Sequence, residues 1–339
     1  MKAFLNKKGI RISAKVYLID ALSYMALGLF GSLIIGLIIQ TIGEQLAIPF
    51  MINIGQVAMD LMGPAIGVAI AYGLGAPPLV IFASVVTGAI GAELGGPAGS
   101  YVSALLSTEI GKLVSKETRI DIIVTPFVTI VTGQAVASII GPAVSTFMDF
   151  FGGWIVWATE QRPLVMGMLV ALLMGLALTA PISSAAIAFM LDLSGLAAGA
   201  ATIGCSAQMI GFAVSSYREN KLGGLLAQGL GTSMLQIGNI FRNPLILIPP
   251  TLAGVVLAPI GIIFWEMENN AAGAGMGTSG LVGQIMTFTT MGFTTSVLIK
   301  VILLHIVGPA VISLIISEYM RKLGWIKPGQ MTIHTGGKK

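Results

Sequence analysis

Apolar runs about as long as a membrane-crossing helix recur along this chain, and they narrow its possible folds more than any other feature. Val16–Ile42, Ile122–Ile140, Leu164–Leu191 and Pro244–Trp265 are examples. A helix needs about 20 apolar residues to cross hydrocarbon, whereas a barrel strand needs about 10 of alternating character. The runs here have the helical length. Charged residues are 9% of the chain and hydrophobic residues 55%, against about 25% charged in soluble domains. In lipid every backbone N–H and C=O must bond within the protein, which leaves helices as the answer for runs of this kind. The expected fold is all-α: a polytopic membrane protein of about ten transmembrane helices. Some of these helices are broken, and one segment is a re-entrant hairpin.

One stretch organises the rest. Thr179-Ala-Pro-Ile-Ser-Ser-Ala-Ala-Ile-Ala-Phe189 sits inside a long apolar run yet carries a proline and three hydroxyls. A proline in a bilayer helix frees a carbonyl, which is tolerated where protein, hydroxyls or water satisfy it. An echo precedes it. Gly63-Pro-Ala-Ile-Gly-Val-Ala-Ile-Ala-Tyr72 sets Pro64 against Pro181 and Tyr72 against Phe189. Two corresponding broken helices point to a transporter binding site. The expectation is therefore a single membrane domain, 1–339, with repeat halves at 50–140 and 164–266. Chance matching of Ala and Ile in an apolar chain is the alternative. Gly-Pro-Ala also recurs at Gly63, Gly96, Gly141 and Gly308. Packing kinks or the ends of half-helices facing a cavity both account for it.

In chain order, spans are expected at Val16–Ile42, Phe50–Leu74, Leu79–Ala92, Ser100–Leu113 and Ile122–Ile140. Gly141–Arg162, interrupted by Asp149, Gly152 and Gly153 and carrying Trp154 and Trp157, reads as interfacial. Further spans are Leu164–Leu191, Gly195–Ser215, Leu222–Ile240, Pro244–Trp265 and Phe293–Tyr319, with Leu281–Gly292 as the re-entrant arm. Lys2, Lys7, Lys8, Arg11 and Lys15 precede the first run, which is longer than a signal-peptide core, so a retained first helix with a cytoplasmic N-terminus is expected. With ten spans the basic tail, including Lys338 and Lys339, is cytoplasmic too.

Polar groups at membrane depth are expensive and face a cavity or a partner. The acidic candidates are Asp60, Glu93, Glu109 and Asp192. Glu109 has an alternative reading as a partner of the Lys112 loop, and Asp192 as a helix cap. His305 is a proton carrier, a ligand or a packed histidine. Among neutral groups, Asn53 and Gln208 lie within spans, and Thr278, Ser279, Gln284 and Thr287 line a hydroxyl-rich arm. The expected solute-binding set is Asn53, Asp60, Glu93, Ser183, Ser184, Gln208, Thr278, Ser279, Gln284 and His305. Such a set suits a small, hydroxylated or weakly charged solute. No Walker lysine, HExxH or GxSxG element occurs, and the single Cys205 excludes an internal disulfide. Neither a metal nor another cofactor is expected. The net charge of +4 is spread over loops and ends, so the partner surface is the lipid bilayer and not a nucleic acid.

Leu178-Thr-Ala-Pro-Ile-Ser-Ser-Ala-Ala186 resembles the membrane (EIIC) component of the phosphoenolpyruvate-dependent sugar phosphotransferase system. Within it the likeness is to the stand-alone group that includes the toxin-expression regulator PfoR. Gly275-Met-Gly-Thr-Ser-Gly-Leu-Val-Gly-Gln-Ile285 and Gly308-Pro-Ala-Val-Ile-Ser-Leu-Ile-Ile-Ser-Glu-Tyr-Met-Arg-Lys-Leu-Gly-Trp-Ile-Lys-Pro-Gly329 extend the likeness over nearly the whole chain. The resemblance implies a permease-like fold in a bacterial inner membrane, a homodimer, a solute site between broken helices, and separate EIIB and EIIA proteins as partners. It departs from the family's pattern in two respects. The sugar-binding Gly-Ile-Thr-Glu motif has only Ser107-Thr-Glu-Ile110 and Gly91-Ala-Glu93 as approximations, and no fused phosphorylation domain is expected. Solute translocation is the first functional reading, and membrane-embedded sensing without phosphotransfer is the alternative.

Overall fold

Helices supply the regular structure of the computed structural model, which describes residues 2–333, and no strand forms among them. His334, Lys338 and Lys339 of the tail lie outside the described residues. Among the described residues, six helical stretches are long and apolar enough to cross a membrane: Leu22–Glu44, Pro78–Val114, Asp121–Thr159, Gly195–Ser215, Pro244–Phe264 and Thr295–Lys322. Pro49–Asp60 and Met62–Gly73 pass the same test as one pair bent by 50°. Pro163–Thr179 is apolar but shorter. The chain is an all-α, multi-pass membrane protein.

The expected helices Leu79–Ala92 and Ser100–Leu113 lie within Pro78–Val114 and fold back on each other where Gly95 and Gly96 leave helical geometry, so that Ser107 Oγ lies 3.1 Å from Thr87 Oγ1. Gly96 has φ 57° and ψ −148°, a conformation that disfavours any side chain, and Pro97 follows it. The difference from the expected ten spans has a local cause elsewhere: Ile122–Ile140 and the segment read as interfacial join as one helix, Asp121–Thr159. Its 39 residues extend for about 58 Å, well beyond the roughly 30 Å of a hydrocarbon core. The helix continues through Pro142, so at Gly141 the Gly-Pro-Ala element leaves it unbroken. The other three copies coincide with irregular backbone. Gly63 follows the bend at Leu61, Gly96 makes the fold-back, and Gly308 follows the π-helical turn Ile302–Val307.

The expected continuous helix Leu222–Ile240 is also interrupted. Tyr217–Leu226 passes through a π-turn, Ala227–Gly231, to an extended Thr232 at φ −157°. There the Thr232 hydroxyl accepts from Met234 N and starts a new turn. A threonine after two glycines competes for the backbone in this way, and no proline announces it.

The chain divides into two compact units, one ending at Phe147 and the other Met148–Ile333. In the first, the Met62–Gly73 and Pro78–Val114 helices approach backbone to backbone. A Cβ on Gly67 would lie 2.2 Å from Ser84 O, and one on Gly88 would lie 2.3 Å from Gly63 O. Small residues permit this approach, and it replaces the hydrophobic driving force that helices in lipid lack. Hydroxyls tie the packing together. Ser100 donates to Gly63 O at 3.1 Å, and Ser103 Oγ lies 2.9 Å from Thr87 O and 3.0 Å from Gly133 O.

The second unit is built around Gly195–Ser215, of which 83% of the apolar window is buried. It packs on Pro163–Thr179, Ile248–Phe264 and Gly308–Lys322. Its glycines set the spacing: a Cβ on Gly204 would lie 2.3 Å from Ala171 O. At one edge, Asn220, Gln236, Asn239 and Asn243 donate to the carbonyls of Met331, Met331, Thr332 and Trp325, at 2.8 to 2.9 Å. These bonds fasten the chain after the last helix.

Candidate functional site

Pro181 breaks its helix as the missing N–H requires. Pro163–Thr179 ends, an irregular stretch follows, and Ser184–Met190 starts again. Pro64 sits in the first turn of Met62–Gly73, just after the bend at Leu61. Both prolines therefore lie at helix breaks. At the Pro181 break the Thr179 hydroxyl lies 2.8 Å from Ser233 Oγ and 3.4 Å from Gln208 Oε1. Gln208 in turn donates to Thr251 Oγ1 at 2.8 Å. Ser184 donates to Gly275 O at 2.7 Å, and a Cβ on Gly275 would lie 2.4 Å from Ser184 O. The break is therefore contacted by the root of the arm, at Gly275. Ser183 is half-buried, and its carbonyl accepts from Ile187 N at 3.0 Å.

The arm itself lies on the central helix. A Cβ on Gly277 would lie 2.7 Å from Cys205 C, and one on Gly283 would lie 3.0 Å from the Thr202 methyl. Gly277, Gly280 and Leu281 all have positive φ, 54°, 54° and 61°, and they turn the chain into the Val282–Met291 helix. Thr278 donates to Gly229 O at 2.5 Å. Gln284 Nε2 reaches Ser206 Oγ at 3.3 Å and His305 Nδ1 at 3.2 Å. Asn269 anchors the start of the arm, with Nδ2 2.8 Å from Thr202 Oγ1, 3.0 Å from Gly283 O and 3.0 Å from Thr287 Oγ1.

Three buried polar atoms of this region have no hydrogen-bond partner: Gln284 Oε1, His305 Nε2 and Ser279 Oγ. They come from residues that are 5%, 1% and 2% exposed. Gln284 Nε2 is a donor, so His305 Nδ1 accepts and the ring proton sits on Nε2. The pair thus presents one acceptor and one donor, and Ser279, five residues before Gln284, adds a hydroxyl that serves as either.

A model of the family described as Phosphotransferase system, EIIC, matches residues 19–333. The chain belongs to the phosphotransferase-system EIIC family. No curated protein matches it. Membership makes this a membrane permease component for sugar-type substrates, and it gives the unpartnered donors and acceptors of the second unit a chemical context.

The structure gathers six of the ten expected site residues of this EIIC protein in the second unit's interior: Ser184, Gln208, Thr278, Ser279, Gln284 and His305, all buried. Gln284 and His305 touch directly. Asn53, Asp60 and Glu93 belong to the first unit, where their side chains are exposed and Asp60 accepts from Gln56 Nε2 at 2.7 Å. Ser206, Thr202 and Asn269 were not among the expected residues. Asn269-Asn270 open the glycine-rich stretch that runs to Gly280. A usable signal was the Asn before a Gly-rich turn, since the Asn270 side chain caps Gly273 N. Among the described residues no group of three His, Cys, Asp or Glu side chains could hold a metal.

Proposed function

We propose that this EIIC protein binds and translocates a small hydroxylated solute of the sugar class through the second unit. The Gln284–His305 pair and Ser279 hold the solute, beside the broken helix at Pro181. The observation that carries this reading is the set of three buried, unpartnered atoms Gln284 Oε1, His305 Nε2 and Ser279 Oγ. Leaving a buried donor or acceptor unmet costs about 1–3 kcal/mol, and a polyol satisfies such a mixed set because each hydroxyl both donates and accepts. Asn53, Asp60 and Glu93 remain in the proposal as polar groups near the first unit's helix breaks. The Pro181 break and the glycine-rich root of the arm supply the flexible joints that alternating access needs. Separate EIIB and EIIA proteins supply phosphate, and the protein works as a homodimer in a bacterial inner membrane. The five basic residues before the first helix support a cytoplasmic N-terminus.

Titration of the purified protein with a panel of hexoses and hexitols tests the site. Gln284→Leu and Ser279→Ala should each weaken binding about tenfold, the worth of one hydrogen bond to a buried group. Unchanged affinity in both removes the site. Flux in proteoliposomes, with and without EIIA and EIIB proteins, separates the activities. Binding with no flux under either condition would replace the permease with a sensor.

A further inference from the structure

The three unpartnered atoms of the proposed solute site are closed off from solvent, so a solute reaches them only when part of the second unit moves. Residues 227–242 are placed to be that part. A π-turn and an extended Thr232 interrupt their backbone, and they touch the site from two sides. Gly229 O accepts from Thr278 of the arm, and Ser233 Oγ lies 2.8 Å from Thr179 Oγ1 at the Pro181 break.

The chain after the last helix holds this segment in place. Residues 325–333 carry no helix, and side-chain amides bond their backbone. Gln228, Gln236 and Asn239 form a buried row: Gln236 Nε2 donates to Gln228 Oε1 at 2.8 Å, and Asn239 Nδ2 donates to Gln236 Oε1 at 2.7 Å. The row ends on the tail, where the same two donors reach Met331 O and Thr332 O, each at 2.9 Å. Asn220 grips the tail from both directions, accepting from Ile333 N at 2.9 Å and donating to Met331 O at 2.8 Å. Ile326 and Met331 anchor it, packed with Phe212, Ile246 and Met320. Lifting the tail would strip acceptors from buried amides. Gln236 lies three residues from Ser233 within one short turn, so that loss is felt where Ser233 meets Thr179.

We propose that residues 325–333 are a strap that latches the Pro181 break. Seated, the strap fixes residues 227–242 and keeps the solute site closed. Released, it frees that segment, the break and the arm together. The consequence for transport rests on the solute reading above, whereas the mechanical coupling does not.

The test compares the full-length protein with Met331→Ala and Ile333→Pro in detergent, by hydrogen exchange and mass spectrometry. Met331→Ala removes an apolar anchor, and Ile333→Pro removes the N–H that Asn220 accepts. Neither alters a side chain of the segment or of the site. Exchange should rise about tenfold at residues 182–191 and 227–242, the worth of one lost hydrogen bond, with Gly195–Ser215 unchanged. A rise confined to 325–333 means that the tail is fastened but latches nothing, and overturns the proposal. If Met331→Ala loosens Gly195–Ser215 as well, the milder Ile333→Pro decides by the same criterion, and a uniform rise in both variants also overturns it. Flux of hexoses and hexitols in proteoliposomes should increase in the same variants. Raised exchange at the break with no flux of any of these sugars leaves the strap standing and removes the solute reading. Unchanged exchange at the break in a protein that does bind one of them removes the strap alone.

Discussion

Lys112→Met should destabilise the protein strongly, and Glu109→Gln should partly rescue it. Lys112 is 2% exposed and holds Glu109, Gly9 O and Leu74 O together at 3.1 Å. Methionine keeps most of the stem's volume, so the perturbation is electrical and not a cavity. Removing the cation leaves a buried carboxylate unpaired, which costs about 3–5 kcal/mol. Neutralising Glu109 in the same chain removes that penalty. What then remains is the lost donor to two carbonyls, about 1–3 kcal/mol for a buried acceptor. The double variant should therefore be about 2 kcal/mol more stable than Lys112→Met alone. Denaturant or thermal unfolding in detergent, run as a double-mutant cycle, measures this. If the two single effects add, or if Lys112→Met is as stable as the unaltered protein, Lys112 is not the buried tie described here.

Asn269→Ala should destabilise the arm by about 2 kcal/mol, because it strips a donor from the buried Thr202 and Thr287 hydroxyls and from Gly283 O. Amide hydrogen exchange should rise between 269 and 291 and stay unchanged in the Gly195–Ser215 helix. Glu117, outside the spans, pairs with Lys8, and this contact lowers its carboxyl below the usual carboxylate range. A depressed folded-state value means the pair contributes fully above the ordinary carboxylate pKa and fades as pH falls through the lowered one. Unfolding midpoints of Glu117→Gln and the unaltered protein should accordingly differ at neutral pH and converge in the acid range, the difference being small because the group is exposed.

How far the chain could be read without coordinates depended on whether a feature was local. Pro181 and the Gly95-Gly96-Pro97 turn were legible because proline lacks an N–H and glycine reaches backbone angles others avoid. Membership of the all-α polytopic class was legible from the length of the apolar runs. Pro142 shows the limit of the same rule: one missing helix bond does not end a helix that the residues on both sides continue. Thr232 shows the converse, a break with no proline, made where a hydroxyl captures the next backbone N–H. Lys112 was read as a loop charge because charge is cheap in loops. Its burial rests on Gly9 O, 103 residues away, and Leu74 O, 38 residues away, and no window of sequence contains both.

The candidate site divides along the same line. The hydroxyl-rich arm from Thr278 to Thr290 stood out by composition, and the structure lays it on the central helix. What composition could not show is which polar atoms find partners. Thr287, at 1% exposure, is satisfied through Gly283 O and Asn269. Gln284, three residues earlier and nearly as buried, keeps Oε1 unpartnered. Three residues along a helix return to nearly the same face, so sequence spacing treats the two alike. The difference comes from the partners each meets: Thr287 bonds back to Gly283 O one turn earlier and accepts from Asn269, whereas Gln284 faces Ser206 of the central helix and His305. A packed hydroxyl and a ligand-ready amide on one helical face are therefore separated by partners that spacing does not show, and for this reason the proposed solute contacts centre on Gln284 and His305.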